Sequence, residues 1–244
     1  PQVTTQASVV STLTALTELQ IGRASDEHIQ RLTALRRLVL QSQRFTGQGL
    51  RGMALLEDIT VESCYALRPD ALAGATALTR LEARGLKPVQ VRMLDDVHTR
   101  LKALKLEYCS VDDDALRDMP QMEHLSLQSF SMRLRGTHMG AMTRLHSLTL
   151  DVSGALDAVR LHTCASLTDL RVRRCQFPAG VLAPVLPQLR LLQVHVSPAV
   201  NDAMLRTATG LTQLDLNGQD QIDGSCFGAA AASVESRRHE GPFA

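Results

Sequence analysis

The segment Gly47-Gln48-Gly49-Leu50-Arg51-Gly52 has the spacing G-x-G-x-x-G, in which glycines let a backbone close on a pyrophosphate at the start of a helix. That chemistry needs a full helix between two strands. The next strand-like run, Ile59 to Val61, begins too soon for one, so these glycines are expected to make a strain-free turn and not a nucleotide site. The eight histidines show no H-E-x-x-H or other paired-ligand spacing, which argues against a zinc hydrolase. Asp112-Asp113-Asp114 lacks the alternating oxygen ligands of a calcium loop and reads as the solvated, acidic start of a helical turn. The chain has neither a phosphate-binding loop of the G-x-x-x-x-G-K type nor a G-x-S-x-G nucleophile elbow. No catalytic residue, no metal and no cofactor are therefore expected, and the chain is not read as an enzyme.

The elements that carry these residues recur along the chain. The pattern apolar-x-x-apolar-x-apolar occurs at Leu16/Leu19/Ile21, Leu35/Leu38/Leu40, Leu56/Ile59/Val61, Leu78/Leu81/Ala83 and Leu101/Leu104/Leu106. It continues at Met122/Leu125/Leu127, Leu145/Leu148/Leu150, Leu167/Leu170/Val172, Leu189/Leu192/Val194 and Leu211/Leu214/Leu216. Successive first positions are 19, 21, 22, 23, 21, 23, 22, 22 and 22 residues apart, an unbroken series of ten. The last apolar-x-apolar triplet of each unit alternates with period two and predicts a short strand with one buried face. Pairs such as Ile29/Leu32, Leu50/Met53, Leu116/Met119, Met139/Met142 and Leu161/Cys164 predict a turn or two of helix or 3-10 helix returning behind it. One strand and one return cannot bury their own apolar side, so the units must stack. An aromatic content of 3%, with no Trp, fits the thin core of such a stack, which Leu, Val, Ala and Met can fill.

These residues resemble the leucine-rich-repeat family, whose pattern ends in Asn or Cys three residues after the last strand Leu. That slot holds Cys64, Cys109 and Cys175 in three units, and Ala24, Gln43, Leu86, Phe130, Ser153, Ser197 and Gln219 in the others. The run from Cys109 to Leu116 is similar to the cysteine-containing subclass found in substrate-recognition subunits of ubiquitin ligases. The resemblance implies an α/β fold: a leucine-rich-repeat solenoid, a horseshoe arc with a parallel β-sheet on the concave face and short helices or 3-10 turns on the convex face. About ten strands at the usual spacing give an arc roughly 45 Å long. Cys64 and Cys109, two units apart, should be separated by roughly 9.5 Å, too far for the Cα distance of about 7 Å or less that a disulfide needs. The slot cysteines are expected to be small buried groups in a reducing compartment. Ala83 is expected to loosen its unit unless a neighbour such as Leu86 fills the space.

Residues 1–225 are expected to form the repeat domain, and 226–244 the last return followed by a flexible tail. Both ends are expected to be cut from a longer polypeptide, since Val10 and Leu13 already belong to a return and no polar cap precedes them.

Side chains between the buried strand positions should project from the concave face. There, eight acids (Glu18, Asp58, Glu62, Glu82, Glu107, Asp151, Asp169, Asp215) mix with six bases (Arg37, Arg80, Arg84, Lys105, Arg171, Arg173) and two histidines (His124, His195). Nucleic-acid binders instead line a track with one sign, so a protein partner is expected and no nucleic acid. The overall net charge of +1 agrees. The expected contact residues are Arg80, Glu82, Arg84, Lys105, Glu107 and Tyr108 on the fourth and fifth units, Arg171 and Arg173 on the eighth, and His195 on the ninth, with Glu82 and Glu107 orienting the arginines. Arg206 is expected on the convex return.

The most apolar stretch, Val181 to Val200, is broken by Pro184, Pro187, Arg190, His195 and Pro198, so no membrane insertion is expected, and the first residues carry no signal-peptide pattern. The reading is a soluble, cytoplasmic protein-interaction module. Its richness in Ala, Arg and Leu fits a GC-rich genome and a bacterial effector acting in a host cytoplasm. The alternative is the substrate-recognition region of a ubiquitin ligase whose catalytic or adaptor domain lies outside this chain. Oligomeric state is left open.

Overall fold

The computed structural model describes residues 10–129, 134–178, 180–196, 200–218, 222 and 225. Phe130, Ser197, Gln219 and the expected tail at 226–244 lie outside them. Ten strands follow one another at the repeat spacing: β1 (Glu18–Gly22), β2 (Arg37–Gln41), β3 (Asp58–Glu62), β4 (Arg80–Arg84), β5 (Ala103–Glu107), β6 (His124–Ser129), β7 (Ser147–Ala155), β8 (Asp169–Gln176), β9 (Leu191–His195) and β10 (Gln213–Asn217). They form one sheet in sequence order. Every neighbouring pair is parallel and the inward rows stay in register, so that Leu81, Leu104, Leu125 and Leu148 make one continuous row; β7 and β8 shift register only beyond it, between Asp151 and Gly154. The strands are longer than the triplets of the sequence pattern. Pairing starts early, because the amides of Lys102 and Ala103 both donate to Thr79 O, at 2.8 and 3.0 Å, and the same fork recurs at Arg36 and Arg37 on Thr17 O.

The returns are single turns: α-helical at Asp26–Ile29, Pro88–Val91 and Asp202–Leu205, and 3-10 at Gln48–Leu50, Arg92–Asp96, Asp113–Leu116, Met139–Ala141, Leu161–Thr163 and Leu186–Gln188. Their apolar residues (Ile29, Leu50, Met53, Leu116, Met119, Met139, Met142 and Leu161 among them) are buried against the strand rows in one core that runs the length of the stack. Burial of this kind is the main stabilising contribution, at about 1.5–3 kcal/mol for each fully buried large aliphatic side chain. In β1 and β10 the inward residues Leu19, Ile21, Leu214 and Leu216 are only partly buried. Among the described residues, interior strands have a neighbour on both sides, whereas β1 and β10 have one on a single side.

The strand exits follow two rules, and the residue type alone does not announce which. In seven units the residue after the strand face adopts a left-handed conformation: Arg23, Ser63, Tyr108, Arg174 and Val196 with φ between 50° and 58°, and Gly85 and Gly218. Where the following residue is described, it turns into the core: Ala24, Cys64, Leu86, Cys109 and Cys175 are all buried. In units two, six and seven this twist is absent and alternation continues one step further, burying Ser42, Ser129 and Val152 instead. The expected slot residues Gln43 and Ser153 are accordingly exposed. A left-handed non-glycine residue costs on the order of 1 kcal/mol, and the buried plug that follows offsets it. Ala83 and Leu86 are both buried in the fourth unit, so the unit with the short strand side chain also carries the largest of the described buried slot residues.

The slot thiols find carbonyls. Cys109 Sγ lies 3.5 Å from Ala83 O of the preceding strand and 3.4 Å from Glu107 O, and Cys175 Sγ lies 3.6 Å from Leu150 O. Cys64, Cys109, Cys164 and Cys175 are free and buried. Burial pushes all four thiols up, Cys175 to about 11. A raised value means less thiolate at mildly alkaline pH than a free cysteine would carry, and burial blocks access as well. Iodoacetamide at about pH 8 should therefore leave these four unmodified in the folded protein and label them all on unfolding, as read by peptide mapping. Rapid native labelling of any of them would contradict its burial.

Two aspartates tie successive returns together. Asp26 accepts from Thr46 N at 3.0 Å, Thr46 Oγ1 at 2.9 Å and Gly49 N at 2.8 Å. Partial burial works against its charge, but these bonds win and hold the carboxyl below its usual value. Asp113 accepts from the amides of Arg135, Gly136 and Thr137 at 2.8 to 3.0 Å. The acidic run is therefore only partly a solvated turn start: Asp112 caps the turn through Ala115 N at 3.2 Å, while Asp113 reaches the next unit.

Candidate protein-binding face

Register places the outward residues of the strands in three rows. The first contains Arg37, Asp58 and Arg80, the second Glu82, Lys105 and Arg171, and the third Glu62, Arg84, Glu107, Arg173 and His195. Opposite charges meet on adjacent strands along these rows. Asp58 Oδ2 lies 3.7 Å from both Arg37 and Arg80. Lys105 Nζ bridges Glu82 at 2.6 Å and Glu107 at 2.9 Å, and Glu107 also lies 3.7 Å from Arg84. The bonds from Glu82 and then Glu107 push the Lys105 ammonium up. Glu107 thus pairs with Arg84. Glu82 does not hold an arginine: it pairs with Lys105, the residue directly opposite it on β5, and Asp58 takes Arg80.

Tyr108 follows β5 in the left-handed conformation and stays exposed, with the Arg84 guanidinium carbon 5.2 Å from its ring centroid. Tyr65, which the sequence reading passed over, is also exposed, and its ring borders the open space beside Gly85. The two tyrosines are the only ones in the chain. Both flank the Arg84–Gly85 exit of β4, one from the unit before and one from the unit after. The available signal was position: each tyrosine adjoins a buried strand-exit slot, Tyr108 before Cys109 and Tyr65 after Cys64.

On β8, Arg171 and Arg173 face outward, and among the described residues they make no ion pair. Arg174 instead turns to Asp151, its Nε donating at 2.8 Å. His195 Nε2 sits 2.9 Å from Asp215 Oδ2 but without an aligned hydrogen bond, so the contact acts as a charge pair only when the imidazole is protonated. The β4–β5 residues thus form one cluster, and Arg171, Arg173 and His195 a second, separated from it by β6 and β7. Two shallow depressions lie on the return side, lined by polar residues such as Asp95, His98 and Arg117 or Asp26 and Thr46. No group of three His, Cys, Asp or Glu among the described residues is placed to hold a metal ion, and no helix among them is long and apolar enough to cross a membrane.

An internalin (inlF) from Listeria monocytogenes superposes on 91% of the chain with a TM-score of 0.72 at 22% identity. The chain has the leucine-rich-repeat fold. The solenoid spans 66% of that internalin's length. Internalin C2 from the same organism matches 86% of the solenoid, and 91% of its own chain, with a TM-score of 0.52 at 14% identity. A TDR receptor matches 87% of it with a TM-score of 0.53 at 16% identity, the solenoid covering 49% of that protein. No family model matches the sequence, and no curated protein matches it. At these identities the likeness is one of fold.

Proposed function

We propose that the solenoid is a protein-binding module that holds its partner on the sheet face, the concave side in this fold, chiefly around β4 and β5. The observation that carries this reading is the convergence of Arg84, Tyr108 and Tyr65 at one strand exit. Arg and Tyr dominate interface energetics because they add large contact area and hydrogen bonds at modest entropic cost. The Lys105–Glu82–Glu107 cluster beside them sets a fixed charge pattern that a partner must match. Arg84→Ala should weaken partner binding by about 1–2 kcal/mol or more while leaving the fold intact, because the side chain points away from the core. The matched control is Arg206→Ala, at the end of the Asp202–Leu205 return, which should change affinity little. Equal affinity for wild type and Arg84→Ala would move the binding surface elsewhere.

The setting we favour is a bacterial effector, a reading supported by the bacterial source of the two matching internalins and by the chain's residue usage. Four free, buried thiols fit a reducing compartment such as a cytoplasm. Substrate recognition for a ubiquitin ligase is the second reading, supported by Cys64, Cys109 and Cys175 acting as buried plugs. The surrounding reading frame separates the two: an adjoining adaptor motif or catalytic-cysteine domain supports the ligase.

A further inference from the structure

We infer that β8 carries a recognition site for an acidic segment of the protein partner, with Arg171 and Arg173 as its two contact residues. The inference rests on the reading of the sheet face as protein-binding and adds the chemistry of what that face takes.

The other strand-face cations already have carboxylates. Arg37 and Arg80 share Asp58, Arg84 has Glu107, and Lys105 lies between Glu82 and Glu107. Arg171 and Arg173 differ: neither has an ion pair or side-chain hydrogen bond among the described residues. The carboxylates around them are engaged elsewhere. Asp151, across from Arg173 on β7, is held by Arg174. Asp169, two residues before Arg171, accepts from Thr168 Oγ1 at 2.7 Å. Asp215, two strands away, sits against His195. What remains is a pair of arginines on one face of one strand, their Cα atoms roughly 7 Å apart, with uncharged Thr149 and Gln193 beside Arg171.

An outward guanidinium offers a planar fork of donors that a carboxylate fills bidentately, so two forks at this spacing match two acidic side chains two residues apart in an extended segment. A nucleic acid fits less well. The strand face carries both signs, as at Glu82, Lys105 and Glu107, and offers no continuous basic track for a run of phosphates, whereas two discrete carboxylates need only the two arginines.

The test is a titration of isotope-labelled protein with the blocked peptide acetyl-Gly-Glu-Gly-Glu-Gly-amide, followed through the arginine side-chain Nε–H resonances by NMR. The resonances of Arg171 and Arg173 should shift and saturate while that of Arg84 stays in place. The Glu→Gln peptide should produce no shift, and the double substitution Arg171→Gln with Arg173→Gln should weaken peptide binding at least about tenfold. No shift, shifts centred on other arginines, an equal response to the Gln peptide, or tighter binding of oligothymidylate at the same residues would overturn the inference. The reading beneath it fails separately. Partner binding that ignores Arg84→Ala counts against the β4–β5 face and leaves the peptide result standing, whereas partner binding that senses Arg84→Ala but not the double substitution keeps the face and removes the acidic site.

Discussion

Leu104→Ala should destabilise the solenoid by about 2–5 kcal/mol, the range for a leucine removed from a tightly packed core. Leu104 is 1% exposed and sits mid-row, with Leu81 on one side and Leu125 on the other, so neither neighbour can close the space without leaving its own strand register. The position matters as well as the burial. In a stack whose units contact only their neighbours, a gap in the fifth of ten units weakens the coupling between the two halves. Urea denaturation should show a lower midpoint, and a second transition if the halves separate. Leu19→Ala in β1, where the side chain is only partly buried, should cost less. A change below about 1 kcal/mol for Leu104→Ala would contradict its place in the core.

Gly47→Ala is the second large effect, expected to cost about 2–4 kcal/mol from a left-handed backbone and a steric clash together. Gly47 has φ 90°, and a Cβ there would lie 2.3 Å from Ala71 Cβ and 3.0 Å from Ala71 Cα, so two backbones from adjacent returns would have to part. Gly22→Ala is the control, because an added Cβ meets nothing within 4 Å at that exposed strand end. It should stay within about 0.5 kcal/mol of wild type. Thermal or chemical unfolding of the two variants distinguishes a packing role for Gly47 from the mere presence of glycine in a loop. Equal stabilities would refute the close approach. The G-x-G-x-x-G spacing thus reflects packing between repeats: Gly49 approaches Asp26 O in the same way, at 2.7 Å from an added Cβ.

The strand rows and the returns were legible because burial repeats with fixed periods, two along a strand and about twenty-two along the chain. Leu38, Leu104 and Leu148 are where that periodicity puts them. The strand exits were not legible. Whether Ser42 or Gln43 turns inward depends on one backbone angle, and the residues that adopt the left-handed form include Arg, Ser, Tyr and Val, types without a shared preference for it. Polar ties escaped for a related reason. Gln90 reads as a surface residue, yet it is buried, donating to Cys64 O at 3.1 Å and to Tyr65 O and accepting from Lys87 N at 2.9 Å. On the sheet face, residue types were readable but their pairing was not: strand register decides that Asp58 serves two arginines while Arg171 and Arg173 have none.

If the partner sits on the sheet face, side-chain oxidation footprinting of the complex will register it at the tyrosines. Tyr65 and Tyr108 are about half exposed at the strand exits, while Leu55 is similarly exposed in the turn that leads into β3, at the opposite edge. Burial in an interface core excludes water and hydroxyl radicals from aromatic anchors. Partner binding should lower oxidation of both tyrosines at least about threefold and leave Leu55 unchanged. Unaltered tyrosines with a protected Leu55 would contradict the account and place the partner away from the sheet face.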